Sequence, residues 1–120
     1  MLFDWRDYLK LAKSLIGQAS SGYSQEAARR SAVSRAYYAA FCWARNYAEA
    51  NLGFRRTGKA EDHGYLRTHL SQRGMARIAS NLNKLRQWRN DCDYEDRVPN
   101  LVQRANFAIQ IADKVIQSCR

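Results

Sequence analysis

The chain has 120 residues, 46% of them hydrophobic, with three Trp, seven Tyr and four Phe, enough for one folded core and too few for two. Twenty Lys and Arg against eleven Asp and Glu give a formal charge of +9, which turns the chain toward acidic partners, nucleic acid first and an anionic protein second. One Pro and six Gly supply little of the punctuation an all-β fold requires, so a single helical domain over residues 1–120 is expected.

Most of the basic residues are Arg, which suits bidentate phosphate contacts better than solubility alone would require. The opening MLFDWRDYLK mixes charges with apolar residues, unlike a secretory leader. No apolar run approaches the ~20 residues of a membrane span. Cys42, Cys92 and Cys119 are widely spaced and form no CxxC pair, so they read as reduced, part-buried thiols in a cytoplasmic protein. His63 and His69 are the only histidines. A zinc site would need long-range convergence, and neither a metal nor another cofactor is expected.

In chain order, Trp5, Tyr8, Leu9, Ala12, Leu15, Ile16 and Ala19 recur at helical spacing and predict a helix from about Leu2 to Ala19. Asp4 and Asp7 fall in its first turn and Ser20, Ser21 and Gly22 end it. Ser24 is the expected N-cap of a second, long helix reaching about Asn51. Its stripe alternates alanines with Tyr37, Phe41 and Tyr47, a pattern that lets neighbouring helices approach closely. The segment GFRRTGKAEDHG, residues 53–64, breaks the period and reads as an exposed basic loop carrying Arg55, Arg56 and Lys59. Its His63, like His69 further on, reads as an ordinary surface residue. A short helix from about Tyr65 to Gln72 follows, then a third long helix from about Met75 to Asp91. Asp93 to Val98 reads as a polar connection, with Pro99 in the first turn of a last helix. The predicted fold is all-α: an up-and-down bundle of four long helices plus a short one.

One position resists the pattern. Met75, Ile78, Leu82 and Leu85 form an apolar stripe, and the next position on it is Arg89, followed by Asn90, Asp91, Asp93 and Tyr94. Two readings are open. Arg89 could be a buried residue paired with Asp93 or Asp91, pinning the helix end. Alternatively it marks a phosphate site, with Arg86 one turn earlier as a further RNA contact. Arg55, Arg56 and Lys59 are equally open between a solvated loop and an RNA-contacting one, whereas Tyr37, Tyr38 and Phe41 read as core.

Two segments together carry a family resemblance. SRAYYAAFCWAR (Ser34 to Arg45) and RNDCDY (Arg89 to Tyr94) resemble the stand-alone prokaryotic branch of the HEPN superfamily, in which an Ala-Tyr-Tyr-Ala-x-Phe helix is followed by Arg-Asn-x-x-Asp-Tyr. The likeness spans nearly the whole chain. It implies a helical bundle acting as a homodimer, and RNA-directed activity: a metal-independent ribonuclease or toxin-type effector of a toxin–antitoxin or defence system. The alternative it implies is a non-catalytic module binding RNA, a nucleotide or a partner. It also implies a nucleotidyltransferase antitoxin as a partner, with Tyr94 the candidate for modification. The nuclease signature of the family pairs Arg with a later His; Arg89 and Asn90 match, and Tyr94 stands at the histidine position.

That departure has chemical weight. Cutting RNA without metal requires a base for the ribose 2′-OH and a cation for charge building on phosphorus. Arg89 suits the second task. Tyrosine, with an ordinary pKa of ~10, is a poor base where histidine is a good one. Asp93 is a candidate substitute base, and His63 or His69 could enter from elsewhere in the chain. The expected catalytic set is Arg89, Asn90, Asp93 and Tyr94.

Overall fold

Helices begin where the sequence supplies local partners for their first amides. In the computed structural model, which describes residues 2–17 and 22–120, Ser24 accepts a 3.0 Å hydrogen bond from the Ala27 amide. This is the expected N-cap. The elements are α1 (Arg6–Gly17), α2 (Gln25–Asn51), α3 (Asp62–Gln72), α4 (Ala76–Tyr94) and α5 (Leu101–Ser118). The fold is an all-α bundle, as the periodicity predicts. No helix is long and apolar enough to cross a membrane among the described residues.

Several boundaries differ from expectation, each for a local reason. The first helix starts at Arg6, because the Asp4 carboxylate takes the Arg6 amide at 3.0 Å and stands before the helix. Its expected end at Ala19, Ser20 and Ser21 lies outside the described residues. Among the described residues α1 has twelve residues and α3 eleven, beside 27, 19 and 18 for α2, α4 and α5. The third long helix runs on through Asp93 and Tyr94. Pro99 sits one residue before Asn100, whose left-handed backbone (φ 56°) turns the chain into α5.

The core is centred on α2, which packs against α1, α4 and α5. Ala32, Ala36, Ala39, Ala40 and Ala44 have no exposed surface, so three neighbours share its circumference without bulky side chains holding them apart. Facing them are Leu82 and Leu85 from α4 and Ala112, Val115 and Ile116 from α5. All three cysteines are free and buried. Burial pushes the Cys92 and Cys119 thiols up to about 11, which keeps them protonated and unreactive.

Polar ties fix the end of α4. The Arg30 guanidinium, from α2, donates to the carbonyls of Cys92 (3.1 Å), Glu95 (2.6 Å) and Asp96 (3.0 Å). Arg104 of α5 donates to Asp91 at 3.2 Å. The loop from 53 to 61 is organised from within. Asp62 is buried and accepts the amides of Thr57 and Gly58 and the Thr57 hydroxyl. Gly58 turns there with φ +83°, a conformation side-chain-bearing residues rarely adopt. The Thr57 amide holds the Asp62 carboxyl below its ordinary range, so the loop is pinned by a charged acceptor at the first residue of α3. The segment is therefore not simply an exposed loop: Phe54 is buried and Asp62 already belongs to α3.

Candidate functional site

Arg89 sits on the inward face of α4, one turn beyond the buried Leu85. Its side chain is 15% exposed. Its Nη2 donates to the Tyr38 hydroxyl at 2.7 Å and its Nη1 to Asn90 Oδ1 at 2.8 Å. The guanidinium carbon lies 5.2 Å from the Tyr38 ring centre and 5.8 Å from that of Tyr37, within cation–π range. Asp93 Oδ2 approaches Nε at 3.6 Å, an ion-pair distance but too long for a hydrogen bond. Nε is buried with no hydrogen-bond partner among the described residues. The local pairing with Asp93 is thus present and incomplete, while Asp91 is engaged by Arg104.

On its other side Arg89 lines a cleft of about 310 Å³, together with Arg86, Asn90, Arg67 and His63. This is where α3 contributes. Because α3 begins at Asp62, His63 and Arg67 are four residues apart on one helical face, and Arg67 Nη1 donates back to the His63 carbonyl at 3.1 Å. The His63 ring is half-buried, stacked on Phe41 with ring centres 4.1 Å apart and planes 11° from parallel. Its Nδ1 is hydrogen-bonded to the Tyr37 hydroxyl, and its Nε2 makes no hydrogen bond among the described residues. Burial, followed by the charges of Arg89, Arg67 and Arg86, pulls its pKa below the ordinary histidine value. The ring is therefore neutral at pH 7.

His63 is a correction to the expectation of a surface histidine. It belongs to α3, which begins at Asp62, three residues before the Tyr65 start that the spacing predicts. His69 is likewise half-buried, its Nε2 2.6 Å from the Leu52 carbonyl, and it serves the loop and not the cleft. Tyr38, expected in the core beside Tyr37 and Phe41, is half-buried with its hydroxyl on Arg89, while the other two are buried as expected. The signal for the missed residues was the spacing in HGYLR, which puts His63 and Arg67 on one face only once the helix start is known.

The other expected site residues separate. Arg86 lines the cleft, its guanidinium held by Asn83 Oδ1 at 3.0 Å from Nη2. Tyr94 is 76% exposed and lines no cleft with Arg89. Five residues along an α-helix is a rotation of about 140°, which carries it off the inward face. Arg55 is exposed and has no side-chain hydrogen bond or ion pair among the described residues. Arg56 is committed to Glu49, with Nε 3.1 and 3.0 Å from the two carboxylate oxygens. Lys59 is exposed at the rim of a second cleft on the far side of His63.

Chemically, the first cleft offers three guanidinium groups, an amide and a neutral imidazole, and among the described residues no carboxylate lines it. That is an anion site suited to a phosphate. Among the described residues no group of three or more His, Cys, Asp and Glu side chains is placed to hold a metal ion. Comparison with protein-family models, characterised proteins and solved structures returns no match for this chain.

Proposed function

We propose that the chain is an RNA-directed HEPN-type domain that holds a phosphodiester in the Arg89 cleft and cleaves it, without a metal in the step, as a toxin-type or defence ribonuclease. The observation that carries this reading is His63: the imidazole missing from position 94 is supplied by α3, on the same cleft as Arg89, Arg86, Arg67 and Asn90. In the tautomer with the proton on Nδ1, that N–H donates to the Tyr37 hydroxyl oxygen and Nε2 presents a lone pair. Nε2 then takes the ribose 2′-OH proton, the 2′ oxygen bonds to phosphorus, and the 5′ oxygen departs and regains a proton through solvent. Its lowered pKa keeps His63 in the base form. The arginines stabilise charge building on the phosphoryl oxygens.

A second reading is favoured by one feature of the same pair. Among the described residues the buried Tyr37 hydroxyl has no acceptor other than His63 Nδ1, and burial raises its pKa, so it stays protonated. If that O–H donates to Nδ1, Nε2 carries the proton and donates to a bound phosphate. The domain then binds RNA without cutting it. Nitrogen NMR of His63 distinguishes the two tautomers.

The same reading includes a homodimer, which would align two Arg89 clefts along successive phosphates, and a nucleotidyltransferase antitoxin as partner. Tyr94, exposed near the cleft-bearing end of α4, is the side chain such an enzyme could reach. The test is incubation of the purified chain with tRNA and total RNA in EDTA. Cleavage is expected, and Arg89→Ala lowers it by at least about 10²-fold with helicity retained. RNA left intact by the parent, with salt-sensitive binding preserved, selects the second reading; no RNA binding at all removes both.

A further inference from the structure

The second cleft, about 530 Å³, shares His63 as its wall with the first. It is built differently. Trp5, Tyr8, Tyr38 and Phe41 line it with Arg35 and Arg45. The Arg35 guanidinium lies 4.8 Å from the Tyr8 ring centre and 5.4 Å from that of Tyr38. Arg45 lies 5.7 Å from the ring of Trp5 and 6.0 Å from that of Phe41. Neither arginine has a carboxylate within ion-pairing distance among the described residues: Arg35 reaches only Ser34 Oγ at 3.4 Å, and Arg45 only Asn46 Oδ1 at 3.2 and 3.1 Å. The acidic side chain on this cleft, Asp62, is consumed by the loop amides and the Thr57 hydroxyl, and Arg56 by Glu49. Aromatic faces are thus interleaved with uncompensated planar cations, beside the cleft of three guanidinium groups around Arg89.

The geometry points to a base-stacking subsite: an unpaired base of single-stranded RNA enters the second cleft while the adjoining phosphate occupies the Arg89 cleft. This deepens the RNA reading and rests on it. Flat aromatic and guanidinium surfaces accept any base by its π-face. Arg35 and Arg45 add charge that the strand's phosphates neutralise. A duplex, whose bases are already stacked internally, offers nothing to this cleft. The substrate class is therefore single-stranded or looped RNA. His63, the shared wall, lies between the base and the scissile phosphate, where a group acting on the intervening ribose has to be. The volume falls in the ~300–1,000 Å³ range usual for ligand pockets.

The experiment measures fluorescence anisotropy of the full chain with a short labelled single-stranded RNA, its riboses 2′-O-methylated to prevent cleavage, against the same strand carrying abasic sites at its centre. The parent is expected to bind the base-bearing strand at least about five-fold tighter. Tyr8→Leu and Arg35→Gln each abolish that preference. Arg35→Gln also lowers the slope of affinity against salt by about one counterion. Arg86→Gln weakens both strands alike. Circular dichroism checks that each variant is folded, and either of the two cleft variants alone suffices. Equal affinity of the parent for the two strands, or a preference that survives in the folded variants, overturns the subsite and leaves the phosphate site standing. Failure of the parent to bind either strand overturns both together.

Discussion

Arg30 and Arg89 both reach the C-terminal part of α4, with side chains 19% and 15% exposed, and they are used in opposite ways. Arg30 comes from α2 and spends its donors on the carbonyls of Cys92, Glu95 and Asp96, where a helix end has acceptors to offer and a cation is favoured by the dipole. Arg89 comes from α4 itself and is left short: one Nη on a tyrosine hydroxyl, the other on its neighbour's amide, and Nε without a hydrogen bond. Burial does not separate them. Satisfaction does. The satisfied arginine is a clamp, and the short one faces a cleft with two other guanidinium groups.

The largest expected effect breaks the clamp. Arg30→Met removes three hydrogen bonds to carbonyls and one to Glu26, all from a charged donor, and should lower stability by about 2 kcal/mol or more, read as a shift in the urea midpoint. RNA binding by the protein that remains folded should be unchanged. Arg89→Met should do the reverse. It loses the bonds to Tyr38 and Asn90 but also removes a buried, unpaired Nε, so the net change in stability is about 1 kcal/mol or less, while RNA binding or cleavage falls steeply. A loss of stability for Arg89→Met as large as that for Arg30→Met would make both residues clamps and remove the contrast.

His63 sharpens the comparison through pH. Its pKa in the fold lies below the ordinary value of ~6.5. As pH falls below ~6.5 the unfolded chain takes up a proton that the folded chain resists. Its contribution to stability is therefore full above ~6.5 and lost as pH falls through the window down to the folded pKa. Parent minus His63→Gln, followed by urea unfolding from pH 7.5 to 5, should show that decline. A difference that does not change over this window would mean that neither burial nor the neighbouring arginines lower the His63 pKa in the fold. The smallest effect is expected at Tyr94. With 76% of its surface exposed and no hydrogen bond among the described residues, Tyr94→Phe should leave stability within about 0.5 kcal/mol and cleavage essentially unchanged. A large loss of cleavage would return the chemistry to the motif position and away from His63.

Local patterning determined the bundle. Apolar residues at a period near 3.6, alanines where helices cross, and Ser24 before α2 are short-range signals that burial then rewards. They also marked Arg89 as out of place, because a guanidinium on a leucine stripe is visible without coordinates. Helix ends were less legible, since Asp4 and Asp62 take amides through side-chain geometry that spacing does not display. The composition of the site was decided by tertiary structure alone. Tyr38 and Arg89 are 51 residues apart in the chain, and Tyr37 meets His63 across 26. Periodicity reports which side of a helix faces inward; only the packing of α3 onto α4 and α2 determines whose side chains meet there.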